Sequence, residues 1–385
     1  MRKISDTIAR LAQAEARKKL ASVSARASGR LVEFKDFGSN PGALSAYRFV
    51  PADLAQDAPL VVVLHGCTQT ADAYDLGSGW SQLAAEAGFA VLYPEQKRLN
   101  NPSLCFNWFQ PSDVRRGAGE AHSIHQMIEA MVSTHGLDRN RIFITGLSAG
   151  GAMAASMLAS YPETFAGGAI MAGLPHGSAT TIPQAFDRMR GHGNPSVPEL
   201  QKALRDASDH RGPWPRIAIW HGLADQTVSH SNADAIAAQW RAVHKVASTP
   251  SSTKTAGPHT RKVWTGATGD IILEVNTLSG MGHGTPIGEG VGAPGPYMLD
   301  VGVSSTRAMA QSWGLAAASP DKSKTVAAAA RATRSRQEDR SVPAKRPAAG
   351  QDTRVPPPRE AKPTRSETGV KKIIEDALRA AGLMR

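Results

Sequence analysis

The chain has 385 residues, 41% of them hydrophobic, and a formal net charge of +11; this suits one large globular unit with appendages rather than a single mean-sized domain. No run reaches the ~18 uninterrupted apolar residues that a membrane-spanning helix requires. The positive charge is concentrated at the ends: residues 1–30 hold eight basic and two acidic side chains, residues 317–385 sixteen and eight, and the body between them 20 and 23. A nucleic-acid groove needs cations on a folded face with aromatic stacking partners. The basic tail has no Phe, Tyr or Trp, so specific nucleic-acid binding is not expected.

In chain order, residues 1–29 carry charges every few positions and lack the apolar stretch of a secretory signal, which favours a cytoplasmic location. Ile4, Ile8, Leu11, Ala14 and Lys18 recur at helical spacing and predict a basic helical extension. A body over 30–316 follows. "RLVEFKDF" and "LSAYRFV" alternate like an antiparallel pair, and "PLVVVLHG" reads as a strand buried on both faces. "WSQLAAEAG" is helical, "FAVLYP" a buried strand, and "EAHSIHQMIEAMVSTHG" a helix ended by Gly136. "RIFITG" leads into a helix, "SAGGAMAASMLASYP", stopped by Pro162. "FAGGAIMAG", "RIAIWHG" and "DIILEVNTLSG" are later strands, with the helix "HSNADAIAAQWRAVH" among them. Strands and helices alternating in this order give right-handed crossovers and a mostly parallel sheet with helices on both faces, an α/β fold. Residues 317–368 are dominated by Pro, Arg, Ala and Ser and read as a disordered linker. Over 369–385, Val370, Ile373, Ile374, Ala377, Leu378 and Ala381 share one side of a short amphipathic helix, suited to docking on a granule, a membrane surface or a protein partner.

The chemistry is expected at the junction of "RIFITG" and the helix after it. Strand, Gly146-Leu147-Ser148-Ala149-Gly150, then helix is the context of a G-x-S-x-G nucleophile elbow. The helix N-terminus sets backbone N–H groups beside the serine, where a developing oxyanion can be held. A serine hydroxyl needs a base and an orienting carboxylate, which follow the nucleophile in the order acid, then histidine. Asp225 follows the strand "RIAIWHG"; Asp234, in the next helix, and Asp270, at a strand start, read as surface charges, and Asp209 precedes the strand and would project from its wrong edge. His283, among Gly280, Gly282 and Gly284, follows the last strong strand. His244 lies in a helix, and His230 and His259 in polar, solvated segments. The second oxyanion donor is expected from the loop in "VVVLHGCTQT", from Cys67 N–H beside that of Ala149. His65 and Gly66 are expected to shape that loop. Trp108 and Phe109 suit either the wall of a substrate cleft or ordinary core packing. No metal or organic cofactor is implied.

Taken together, "LHGCTQ", "GWSQLAAEAGFAVLYPEQ", "CFNWFQ", "RGAGEAHSIHQMI", "RIFITGLSAGGAMA", "HGLADQTV" and "GMGHG" resemble the esterases of the poly(3-hydroxybutyrate) depolymerase family, relatives of feruloyl and acetylxylan esterases. The resemblance spans about Pro59 to Trp313. It implies an α/β-hydrolase fold, a triad of Ser148, Asp225 and His283, an oxyanion role for Cys67 and an ester substrate: a hydroxybutyrate polymer or oligomer, or an acylated carbohydrate. A non-catalytic adaptor on the same fold is the alternative from another class. Similar members bridge a pair like Cys67 and Cys105, whereas a cytoplasmic location favours two thiols. Many members follow the catalytic histidine with a Trp-containing segment; here "GTPIG" stands there, so the pocket beside His283 is expected to differ.

Overall fold

The run Leu60–Leu64 contains only Leu and Val, which favour a pleated strand and fill space on both of its faces. It forms strand β3, with all five side chains buried. Leu60, Val62 and Leu64 enter one apolar layer, Val61 and Val63 the other. The computed structural model describes residues 30–317. The extension expected over 1–29, the linker over 317–368 and the helix over 369–385 lie outside the described residues, Ala317 excepted.

From edge to edge the sheet runs β1 (Val32–Glu33), β2 (Ser45–Phe49), β4 (Ala90–Glu95), β3, β5 (Ile142–Leu147), β6 (Gly167–Met171), β7 (Arg216–Gly222), β10 (Ile271–Leu278), β9 (His259–Thr265) and β8 (Ser252–Ala256). Strands β4, β3, β5, β6, β7 and β10 are parallel; both edges are antiparallel. The pair expected near the start is present, but β1 is only two residues long because the chain turns soon after it, with Asp36 at φ 59°. The hairpin of β8 and β9 is absent from the sequence reading. It carries His259 away from its expected solvated position: the ring stacks on Trp220 at 5.2 Å and Nε2 donates to Asn276 Oδ1 at 2.9 Å. A short parallel pair, β11 (Thr285–Ile287) and β12 (Met298–Asp300), lies apart from the main sheet.

Helices α1 (Ala71–Ser78), α2 (Trp80–Ala87), α3 (Pro111–Val114), α4 (Gly119–His135), α5 (Ala149–Ser160), α6 (Ile182–Met189), α7 (Val197–Asp206), α8 (Ser231–His244) and α9 (Ser305–Ser312) complete the architecture. α4, α5 and α8 cover the layer entered by Leu60; α1, α2 and α9 cover the other. α4 ends as expected, its cap Gly136 at φ 60° donating to Val132 O. α5 is buried along all twelve residues. Only Ala, Gly, Ser, Met and Leu occur in it, so it lies close against the middle of the sheet. The loops after β3, β5, β7 and β10 gather at the carboxyl ends of the parallel strands, where open α/β sheets hold their ligands.

Candidate functional site

Strand β5 passes into α5 through Ser148, whose backbone takes φ 58° and ψ −117°. Such a conformation costs a non-glycine residue roughly 1–3 kcal/mol and persists only where its surroundings enforce it. They do so here. A Cβ at Gly146 would run into the Gly150 carbonyl, and one at Gly150 into the carbonyls of Leu64 and His65. The two glycines let β5, α5 and β3 approach without room for a methyl group, and Ser148 N–H is tied to Met171 O at 2.9 Å. Ser148 is 8% exposed, and its hydroxyl has no hydrogen-bond partner among the described residues. The N–H groups of Cys67 and Ala149 are likewise unpaired there.

Asp225 sits in a turn after β7 that orients its carboxylate firmly. Oδ1 accepts from Thr227 N–H at 2.8 Å and Val228 N–H at 2.9 Å. Oδ2 accepts from His283 Nδ1 at 2.7 Å and lies 3.5 Å from His221 Nε2. Burial works to raise the Asp225 pKa, but the neighbouring imidazoles of His221 and His283 outweigh it and hold the carboxyl below its usual range. The group is therefore an acceptor only, so Nδ1 of His283 carries the proton and Nε2 is left as a base. Two backbone bonds lock the loops together: Leu223 N–H to Leu278 O and Ala224 N–H to Met281 O, both 2.9 Å. Asp209, Asp234 and Asp270, along with His230, are exposed, and His244 closes α8.

The loop after β3 is held from beneath. Gln96 N–H donates to His65 Nε2 at 3.1 Å, which fixes the proton on Nδ1, the donor to Gly66 O at 2.8 Å. Burial lowers the His65 pKa to about 4, so the ring stays neutral. Gly66 N–H donates to Gln69 Oε1 at 2.9 Å. Cys67 and Cys105 form a disulfide, with Cα atoms 4.2 Å apart, which joins this loop to the segment carrying Trp108 and Phe109. That segment is anchored again by Glu120 at the start of α4. Its Oε2 accepts from Asn107 N–H at 2.8 Å and its Oε1 from Gln96 Nε2 at 2.5 Å, and burial pushes its pKa up to about 8.

Two cavities meet at Ser148. The larger has about 820 Å³ of empty volume, part of it open to solvent. Its walls include Trp108, Phe109, Leu174, Phe186, Met189 and Val228, with Thr68, Asn101 and Ser103 as polar members. Cys67 and Ala149 also line it. Trp108 lines this cleft and belongs to one apolar cluster with Ala149, Ala152 and Leu174. The smaller cavity is a shallow one, with about 230 Å³ of empty volume, part of it open to solvent, and is lined by Gly66, Cys67, Gln69, Leu147, Ser148, His283 and Tyr297. Among the described residues no cluster of three or more His, Cys, Asp or Glu side chains could hold a metal ion.

Residues 44–263 match the family model described as esterase PHB depolymerase. The chain is 42% identical over 304 residues to poly(3-hydroxyalkanoate) depolymerase C of Paucimonas lemoignei, covering 76% of this chain and 72% of that protein. The chain belongs to the esterase PHB depolymerase family. Acetylxylan esterase A of Aspergillus oryzae is 32% identical over 268 residues, 68% of this chain and 86% of its own length. The solved acetyl xylan esterase from Aspergillus awamori superposes with a TM-score of 0.65 at 25% identity, covering 75% of this chain and 100% of that one. The fold is that of the α/β hydrolases, and this family member is a carboxylic ester hydrolase.

Three features of this esterase escaped the sequence reading. His221, the last residue but one of β7, lies beside the Asp225 carboxylate and donates through Nε2 to Val228 O at 2.9 Å; its place four residues before an acid at a strand end was the available signal. Helix α6 supplies Ile182, Ala185, Phe186 and Met189 to the cleft from a segment whose local pattern names no partner. Tyr297 approaches His283 edge-on at 6.1 Å. The "GTPIG" segment forms β11, and the aromatic ring beside the imidazole comes from the turn entering β12.

Proposed function

We propose that the protein is a serine esterase working through an acyl-enzyme, with Ser148 as nucleophile, His283 as base and Asp225 as the carboxylate that orients it. Ser148 Oγ attacks the ester carbonyl while Nε2 of His283 takes its proton. Asp225 fixes the tautomer and stabilises the imidazolium. The Cys67 and Ala149 N–H groups hold the oxyanion; their lack of another partner among the described residues is what suits them to it. The imidazolium then gives its proton to the leaving alcohol, and the neutral imidazole so restored takes a proton from water in the second half, which releases the acid. The observation that carries this reading is the 2.7 Å bond from His283 Nδ1 to Asp225 Oδ2, made at the small cavity that Ser148 shares with His283.

For the substrate, the reading is a short-chain polyhydroxyalkanoate, a 3-hydroxybutyrate polymer or oligomer. The cleft at Ser148 has mostly apolar walls, which match the alkyl side chains of such a polyester better than a sugar, whose hydroxyls would lack partners there. The depolymerase relative supports the same choice. An acylated carbohydrate is the second reading, supported by the acetylxylan esterase relatives. Hydrolysis of hydroxybutyrate oligomers, of the polymer and of acetylated and feruloylated xylo-oligosaccharides separates the two, with Ser148→Ala as the blank. The first reading expects kcat/KM for the oligomers to exceed that for the sugar esters by at least roughly tenfold, the least that a mismatched pocket imposes. The reverse ratio gives the carbohydrate reading, and no Ser148-dependent turnover on either class removes both.

A further inference from the structure

The two cavities at Ser148 differ in one chemically decisive respect. Cys67 and Ser148 line both, but His283 lines only the small one, while Ala149 and Val228 line only the large one. An ester carbonyl carbon under attack by Ser148 carries three further groups: the oxyanion, the acyl chain and the alkoxy oxygen. The oxyanion goes to the N–H donors. The alkoxy oxygen must receive a proton before it leaves, and under the mechanism proposed above the only group to deliver it is the imidazole that took the proton from Ser148. It must therefore depart on the side where His283 is exposed.

We infer that Ser148 divides its substrate in a fixed sense, with the acyl chain in the apolar cleft of Trp108 and Phe186 and the leaving alcohol in the small cavity of His283, Gln69 and Tyr297. This rests on Ser148 and His283 being the reacting pair. The chemistry of the two walls differs accordingly. Gln69 Oε1 is committed to Gly66 N–H, which leaves its Nε2 amide as a donor. Neither that amide nor the Tyr297 hydroxyl has a hydrogen-bond partner among the described residues. The small cavity is suited to a compact alcohol that carries a carbonyl or hydroxyl acceptor near its oxygen, and the mostly apolar cleft to the alkyl part of the acyl group. Tyr297 is then a specificity-determining residue for the alcohol, and Phe186 for the acyl group.

The arrangement predicts separable effects. One ester series holds a butyryl group fixed and varies the alcohol from methyl through hydroxy-functional to benzyl; the other fixes methanol and varies the acyl group from acetyl to octanoyl. Tyr297→Ala is expected to raise the benzyl-to-methyl ratio of kcat/KM by roughly tenfold, the scale set by methylene-sized changes in a pocket, and to leave the acyl-length profile within about twofold of wild type. Phe186→Ala is expected to do the opposite, moving the preferred acyl chain to greater length at unchanged alcohol ratios. Tyr297→Trp and Phe186→Leu, which keep a bulky side chain in place, serve if either alanine variant fails to melt cooperatively; Tyr297→Trp should lower the benzyl ratio. Exchanged profiles, with Tyr297 governing acyl length and Phe186 the alcohol, overturn the assignment, as does either variant altering both series equally. The same esters tested with Ser148→Ala keep the two ideas apart. Wild-type rates in that variant remove the nucleophile itself, whereas Ser148-dependent turnover with exchanged profiles removes the subsite assignment alone.

Discussion

The centre of this molecule and the wall of its cleft are built by different means. Ser148, Asp225 and His283 each lie in the loop that leaves the end of a parallel strand, and backbone N–H groups hold those loops: Ser148 N–H to Met171 O, two N–H groups to Asp225 Oδ1, and Ala224 N–H to Met281 O. The wall depends on side chains and cross-links instead. The Trp108 segment is held by the Cys67–Cys105 bridge and by Glu120, and α6 buries only Ala185 among its own residues. The centre is fixed by sheet register, the wall by contacts that one substitution can release. Changes at the centre should cost rate with little loss of stability, and changes in the supports of the wall should do the reverse.

The largest effect tests the centre. Ser148→Ala is expected to lower ester hydrolysis on the order of 10⁴-fold or more while the protein stays folded, read from kcat/KM beside a thermal melt. Next comes Asp225→Asn, which replaces the acceptor of the His283 Nδ1 proton with a group that favours the other tautomer. A loss on the order of 10³- to 10⁴-fold in kcat at near-native melting temperature is expected; a loss below tenfold would mean that the carboxylate does not orient the base. The supports come third. Replacing Cys67 and Cys105 together by Ser opens a loop spanning 38 residues in sequence, and chain entropy sets the destabilisation at about 3–4 kcal/mol, measured by urea unfolding. A bridge that also aligned the centre would show itself as a fall in kcat far beyond the fall in stability.

The last test concerns pH. Glu120 ionises near 4.5 when unfolded and at about 8 in the folded protein, because burial disfavours its charge. Between those values the folded state holds a proton that the unfolded state releases, so stability falls as pH rises from about 4.5 to 8. Glu120→Gln removes that contribution, and its melting temperature should vary less between pH 5 and pH 8 than the wild-type value. An unchanged slope would place the titration elsewhere.

The same division explains what could be read in advance. The elbow is local: two glycines, a serine, a buried strand before and a small-residue helix after lie within one short stretch, and strand ends are visible as β-rich runs meeting glycine. Asp225 and His283 could be singled out because each follows such a run. Tyr297 and Ser148, by contrast, lie 149 positions apart in the numbering and meet only because β12 pairs with β11 beside the His283 loop. Helix α6 is short and amphipathic, and nothing within Ile182–Met189 says that Phe186 faces a cleft rather than a core. His259 misled because polar alternation is shared by a solvated loop and an edge hairpin. The pairing of Cys67 with Cys105 stayed open because no local pattern fixes a distance between loops that follow different strands.

Helix α5 is buried along its whole length, and the proposed nucleophile Ser148 stands at its N-terminus. An element without a free face has almost no neutral substitutions, since any added atom must displace the sheet or a neighbouring helix. α6 stands at the other extreme, with only Ala185 buried among its eight residues. Variation under selection, or in a mutagenesis library, should therefore accumulate on α6 while α5 stays nearly constant, and this esterase should acquire a new acyl preference without acquiring a new fold.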